Sequence, residues 1–248
     1  MKAGILTSFV FVIMLSFASC DKDKPKTKPV EFTSTTYSTL GTFDASGKPN
    51  YLTTPDVISP GLLSFIHNTL PGNKDLRISN PELFTTTTAI ADIKITQSSD
   101  VFITFVSSGA DYTNAFAFYT YPTGQSPTTS KDIDTITYVF PSCGNRSTID
   151  MGDKVKIGRF NAGTSIGFVL LKDGWDTTNH KLNDKVVHFC SNDILNPEVD
   201  PNLKKHAVLV HYVPENKTLI GFEDIDRTYD YCDHDFNDLV VYCTVTTP

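Results

Sequence analysis

Between Asp92 and Val245 apolar and polar positions alternate in short bursts with a period of two. Ten such runs follow one another: "DIKIT", "VFITFVS", "NAFAFYTY", "TITYVFP", "KVKIGRF", "TSIGFVLL", "KVVHFC", "HAVLVHY", "TLIGFED" and "LVVYCTV". Each is rich in Val, Ile, Phe, Thr and Tyr, which suit a pleated, half-buried surface, so each predicts a β-strand. Turn-forming clusters such as "SSGADYTN", "YPTGQSP", "PSCGN" and "KDGWDTTNH" separate them, and no long helical period intervenes. Ten strands fit poorly in one flat sheet. The expected fold is therefore all-β, a two-sheet antiparallel β-sandwich of jelly-roll type. The clearest local pairing is "HAVLVHYVPENKTLIGFED", a hairpin turning at Pro214 to Lys217 whose second strand ends on Glu223 and Asp224.

Upstream the pattern changes. "SPGLLSFIHNTLPG" predicts one short N-terminal helix, with Ser59 as N-cap, Pro60 at the first helical position and Pro71-Gly72 as the stop. Leu62, Leu63, Phe65, Ile66 and Leu70 give it an apolar face for packing. At the very start, Lys2 precedes "ILTSFVFVIMLSFA", an apolar stretch too short to span a membrane and typical of an export signal. It runs into "FASC", which resembles a lipobox ending on Cys20, although Phe17 stands where Leu is usual. Cleavage by an ordinary signal peptidase near Ser19 is the competing reading. The segment "DKDKPKTKPVEFTSTT" after Cys20 lacks apolar periodicity and reads as a solvated tether. The expected organisation is a signal peptide at 1–19, a lipid anchor at Cys20 with its tether to 36, an extension at 37–96 carrying the helix and packed on the sandwich, and the sandwich at 97–248.

Composition narrows the function. A formal net charge of −7 argues against nucleic acid as a partner, since that needs a basic surface. Four cysteines besides Cys20, at 143, 190, 232 and 243, are an even number suited to disulfides in an oxidising compartment; buried free thiols are the alternative.

The chemistry concentrates near the C-terminus. Seven carboxylates (Glu223, Asp224, Asp226, Asp230, Asp233, Asp235 and Asp238) face one cation, Arg227, before the chain enters its last strand. Crowded carboxylates repel unless protonation, solvent or a cation relieves them, and outside the cell calcium is the natural counter-ion for an all-oxygen set. In "DHDFND", Asp233, Asp235 and Asn237 alternate like the start of a D-x-[DN]-x-[DN] calcium loop. Asp238 then replaces the turn glycine and Thr244 the bidentate glutamate, which excludes an EF-hand. The expected ligands are Glu223, Asp224, Asp233, Asp235, Asn237 and Asp238, clamping two chain segments together. Unbroken strand structure would turn Asp235 and Asn237 toward the core with Leu239 and Val241, so a loop or bulge is expected at Phe236 to Asp238. The alternative is a solvated acidic loop holding no ion.

Four motifs occur in a familiar order: "DVFITFVSSGADYTNAFAFYTY", "GDKVKIGRFNAGTSIGFVLLKDGW", "LNPEVDPNLKKHAVLV" and "GFEDIDRTYDYCDHDFNDLVVY". Together they resemble the LruC-type domain (the DUF4114 family) of bacterial lipoproteins and adhesin-like surface proteins, a domain of unknown function. "LGTFDASGKPNYL" resembles the leader found upstream of it in such lipoproteins. The resemblance implies an exported β-sandwich with an acidic, calcium-binding C-terminal motif. The family's "FED" and "D-x-D-F-N-D" elements fall on Phe222, Glu223, Asp224, Asp233, Asp235, Phe236, Asn237 and Asp238, and its "LNPE" on Leu195 to Glu198. Glu198 and Asn114 then add oxygens or simply form turns.

No catalytic constellation competes. His206 and His211, five apart on a strand, face opposite ways, which spoils a two-histidine zinc site. His234 is expected to face solvent from its loop. No G-x-S-x-G, H-E-x-x-H or phosphate-binding glycine loop occurs. The expectation is a calcium-binding, non-enzymatic protein of the bacterial cell envelope, anchored in the membrane through Cys20, with an adhesion or ligand-binding role toward a glycan or protein. The alternatives are a carbohydrate-binding module using Trp175 and tyrosine-bearing loops, with Trp175 otherwise plugging the sandwich end, and a glycoside hydrolase using paired carboxylates.

Overall fold

The computed structural model describes residues 28–85 and 92–247. The segment read as a signal peptide, the anchor expected at Cys20 and the first part of the expected tether lie outside the described residues. In chain order the elements are β1 (Thr36–Thr39), β2 (Leu52–Thr53), α1 (Pro60–Thr69), α2 (Leu76–Ser79), β3 (Ile93–Ile95), β4 (Ser99–Ser107), β5 (Ala115–Pro122), β6 (Thr135–Phe140), β7 (Lys154–Phe160), β8 (Thr164–Leu171), β9 (Trp175–Asp176), β10 (Lys181–Leu182), β11 (His188–Cys190), β12 (Ala207–Tyr212), β13 (Lys217–Phe222) and β14 (Leu239–Thr246). All ten alternating runs contain a strand.

The strands form two six-stranded sheets and a small β9–β10 ribbon. The first sheet runs β1-β6-β5-β8-β11, with β3 also on β8; the second runs β12-β13-β14-β4-β7-β2. Pairing is antiparallel except at one edge, where β1 lies parallel to β6 from Thr36 opposite Thr135 to Thr39 opposite Tyr138. The chain is thus the expected all-β sandwich. Strands from residues 36–95 are built into both sheets: β1 and β3 into the first, β2 into the second.

Alternation along the strands sorts the core. On β14, Leu239, Val241 and Cys243 face the other sheet and share one core cluster with its Phe116, Phe140 and Phe168 and with Phe222 of the adjacent β13. Val240 and Tyr242 point the opposite way, yet they too are buried, under Leu62, Ile66, Leu70 and Leu76 from the two helices. Ser59 caps α1 by accepting from Leu62 N at 3.0 Å, and Pro60 starts it, so positions 62, 66 and 70 fall on one face. Burying each of these apolar side chains contributes roughly 1.5–3 kcal/mol. The outer face of the first sheet is covered in the same way, with Phe32 packed near Ala117, Tyr119, Tyr138 and Leu171.

The four cysteines among the described residues form no disulfides. Cys143, Cys190, Cys232 and Cys243 are all buried and free. Cys143 and Cys243 fill the inter-sheet core while Cys190 belongs to the outer cluster of the first sheet, so packing uses these thiols as small apolar groups. The core is large enough to stand without staples.

Candidate functional site

The acidic motif forms the long connection between β13 and β14, residues 223–238. Glu223 continues the β12–β13 ladder one step beyond β13: its N donates to His206 O at 3.0 Å, and His206 Nδ1 lies 3.0 Å from Glu223 O. Further on, His234 and Phe236 adopt left-handed backbone angles, φ +58° and +56°. Such angles are costly for residues with side chains. They break strand parity where continuous pairing would have driven Asp235 into the core. Phe236 is fully buried on the opposite side, in the cluster under the helices with Leu70, Leu219 and Tyr242.

Neighbouring segments hold this loop. Gly221 is needed beneath it, because a Cβ there would lie 2.5 Å from Phe236 O and 2.6 Å from Leu70 Cδ1. After α1 the chain turns back so that Asn73 N donates to Asp235 Oδ2 at 2.7 Å, and Leu76 N to His234 O at 3.1 Å. A bulge between β14 and β4, where Val240 opposes Ser107 and Val241 opposes Phe105, steers the end of β4 onto the loop. Ser108 Oγ then donates to Asp238 O at 2.7 Å and Gly109 N to Asn237 O at 3.1 Å.

Three carboxylates converge here. Oxygen atoms of Glu223, Asp233 and Asp235 all lie within 4.8 Å of one another; Glu223 and Asp235 are buried and Asp233 is exposed. Glu223 Oε2 is buried with no hydrogen-bond partner. A buried, unpaired carboxylate oxygen is costly unless a cation reaches it. Burial, then repulsion from Asp233, Asp235 and Asp224, raises Glu223 from 4.5 to about 7. Burial also raises Asp235 and Asp224. Asp238 is pushed far up by burial and by the charges of Asp224 and Glu223.

The other residues anticipated as ligands surround this trio. Asp238 Oδ2 accepts from Asp224 N at 2.8 Å, tying the two ends of the connection together. Asn237 orients Asp235, its Nδ2 donating to Asp235 Oδ2 at 2.7 Å. Asn114 Nδ2 donates to Asp224 Oδ2 at 2.5 Å, so in this arrangement it satisfies a buried acid and does not add to the trio. Glu198 is also directed elsewhere. Its Oε1 meets His206 Nε2 at 2.7 Å, in a pair buried against Phe189, whose ring stacks on His206 at 4.0 Å.

One expectation needs correcting. His234 does not face solvent but is 6% exposed. Its Nδ1 lies 3.2 Å from both Arg227 Nε and Cys232 Sγ. Burial and the adjacent Arg227 guanidinium lower it from 6.5 to about 4, so the imidazole is neutral. The left-handed turn at 234 swings the ring inward, which sequence alternation does not show. Of the two roles open to Trp175, burial is the one observed: it is 3% exposed and edge-on to Phe43 at 5.6 Å, and offers no ring face to a sugar.

Sequence reasoning treated Arg227 only as a lone counter-charge. In the structure it is buried, spreads over Phe236 and Phe84 (5.1 and 5.7 Å to the ring centroids), and donates from Nη1 to Lys205 O at 2.7 Å and Leu203 O at 3.3 Å. The roles of Asn73, Gly109 and Gly221 were also missed. Glycines flanking the motif hint at close backbone approach, but nothing local identifies what approaches.

No curated protein and no solved structure matches the chain. Residues 160–246 match the family model described as a domain of unknown function (DUF4114). This stretch runs from the end of β7 through the acid-rich connection to the end of β14, so the similarity covers the C-terminal part of the chain, including the acidic motif.

Proposed function

We propose that the chain is a non-catalytic binding protein in which Glu223, Asp233 and Asp235 hold a calcium ion that clamps the β13–β14 connection to the sandwich. The observation that carries this reading is the unpartnered buried Glu223 Oε2 within a 4.8 Å trio of carboxylates. An all-oxygen donor set suits a hard divalent ion. The softer donors nearby are engaged with each other, Cys232 Sγ with His234 Nδ1. Asp224, Asn237 and Asp238 then act as supports that fix the trio. Display at a bacterial cell envelope through an acylated Cys20, with an adhesive or ligand-binding role, is the biological setting we propose from the N-terminal sequence.

Isothermal titration of chelator-treated protein with calcium tests the site. Affinity in the extracellular-module range, roughly 10⁻⁴–10⁻³ M, is expected for the wild type and none for Asp235→Asn. Protein dialysed against millimolar calcium that retains no ion by elemental analysis, or an Asp235→Asn variant that binds like the wild type, would refute the proposal.

A further inference from the structure

The β13–β14 connection also carries a feature that a purely structural ion site does not require. Tyr229 and Tyr231 are 47% and 69% exposed, the only exposed Phe, Tyr or Trp side chains among the described residues. Their rings stack on each other, centroids 5.1 Å apart and 13° from parallel. Aromatic rings gain most by being covered, and this pair leaves much of its surface in water at the tip of a loop held by costly backbone angles. Beside it opens a cavity of about 600 Å³, lined among others by Tyr229, Asp75, Arg77, Arg227, Asp230 and Asp233. That volume lies within the range of small-ligand sites, about 300–1,000 Å³.

We infer that this cavity binds a neutral sugar unit of a glycan, with one sugar face on Tyr229 and its hydroxyls on the polar wall. The inference rests on the calcium reading for its coupling, because Asp233 belongs both to the carboxylate trio and to the cavity wall. The wall supplies donors and acceptors fixed in place: Arg77 Nη2 donates to Asp75 Oδ2 at 2.6 Å, and Arg77 Nε bonds both Asp75 oxygens, at 2.9 and 3.0 Å. Such a planar pair presents its remaining hydrogen-bonding sites to hydroxyl groups without a large ordering cost. Charge selects against an acidic sugar. Arg77 and Asp75 compensate each other as an ion pair, and the remaining lining charges are Arg227 against Asp230 and Asp233, which leaves the wall net negative toward a carboxylate or sulfate. Arg227 anchors the same wall from within, so the ion, the loop and the cavity share one support.

Native affinity electrophoresis of the purified protein through gels containing mannan, xylan, β-glucan, galactan or alginate tests this. With calcium present, retardation is expected in at least one neutral polysaccharide and not in acidic alginate. Tyr229→Ala should weaken that retardation about tenfold while leaving the calcium-dependent rise in melting temperature intact. Absence of retardation in all four neutral gels, or a Tyr229→Ala variant retarded like the wild type, would overturn the sugar site. Retardation that survives chelation overturns its coupling to the ion. The melting shift reports separately on whether the ion site exists, so failure of the sugar site and failure of the calcium site are read from different measurements.

Discussion

Replacing Glu223 with glutamine removes one negative charge from the carboxylate trio while keeping the side-chain shape. Glu223 is 1% exposed, and its folded pKa of about 7 lies above the ordinary 4.5 because of burial and the neighbouring acids. Its protonated form therefore stabilises the fold. That contribution is complete below pH 4.5 and is lost as pH rises through 7. At 1.36 kcal/mol per pH unit, holding Glu223 ionised at pH 8 without a cation costs on the order of 3 kcal/mol; at pH 5 the cost is only about 1 kcal/mol. In chelator at pH 8, Glu223→Gln should thus be more stable than the wild type. With roughly 2–4 °C per kcal/mol for a chain of this size, its melting temperature should be higher by roughly 6–12 °C, and the gap should shrink at pH 5. Calcium should close most of that gap. At a hundred times its dissociation constant the ion stabilises the wild type by about 2.7 kcal/mol, and the variant should lose most of this. Differential scanning calorimetry at both pH values, with and without calcium, reads all four states. The comparison is made between proteins at each pH because His188 and His234, both lowered to about 4, change stability in the opposite sense over the same range. A variant less stable than the wild type by equal amounts at pH 5 and pH 8 in chelator would refute the reasoning, as would an unchanged calcium response.

Three further outcomes follow from particular contacts. Gly221→Ala forces a Cβ against Phe236 O and Leu70 and should lower stability by roughly 1–3 kcal/mol, measured by urea unfolding; an unchanged midpoint would show that the loop does not lie on β13. Asn114→Ala removes the donor to Asp224 Oδ2 and the acceptor for Asp173 N, which should cost about 1–3 kcal/mol in the same assay. His188 is nearly enclosed, stacked on Phe32 at 4.5 Å and bonded through Nε2 to Tyr37 Oη at 2.8 Å. Burial lowers it to about 4, so stability is lost as pH falls from 6.5 toward 4. Its ring resonances should not titrate above pH 5 by NMR, and a midpoint near 6.5 would contradict the burial.

Much of the fold was legible because strand and helix are encoded by local period. The ten alternating runs, the hairpin turning at Val213–Glu215 with Asn216 in a left-handed conformation, and the Ser59–Pro60 helix start all depend on residues a few positions apart. The spacing of Asp233, Asp235 and Asn237 also stood out in the sequence, as did the need for a break in strand parity beside Leu239. How far the loop would fold back was not legible, because the left-handed turns occur at His234 and Phe236, residues that carry no glycine-like signal.

What the sequence determined by itself was the class of fold and the presence of a dense carboxylate motif at the end of a strand. Tertiary structure alone decided which carboxylates meet and what surrounds them. Asn73 reaches Asp235 across 162 residues and Asn114 reaches Asp224 across 110. Trp175 turns inward, four cysteines stay free, and Tyr229 and Tyr231 are left as the exposed rings. The physical reason is that side-chain periodicity records which face of an element is apolar. Which distant segment covers that face depends on sheet pairing and close packing across the whole chain.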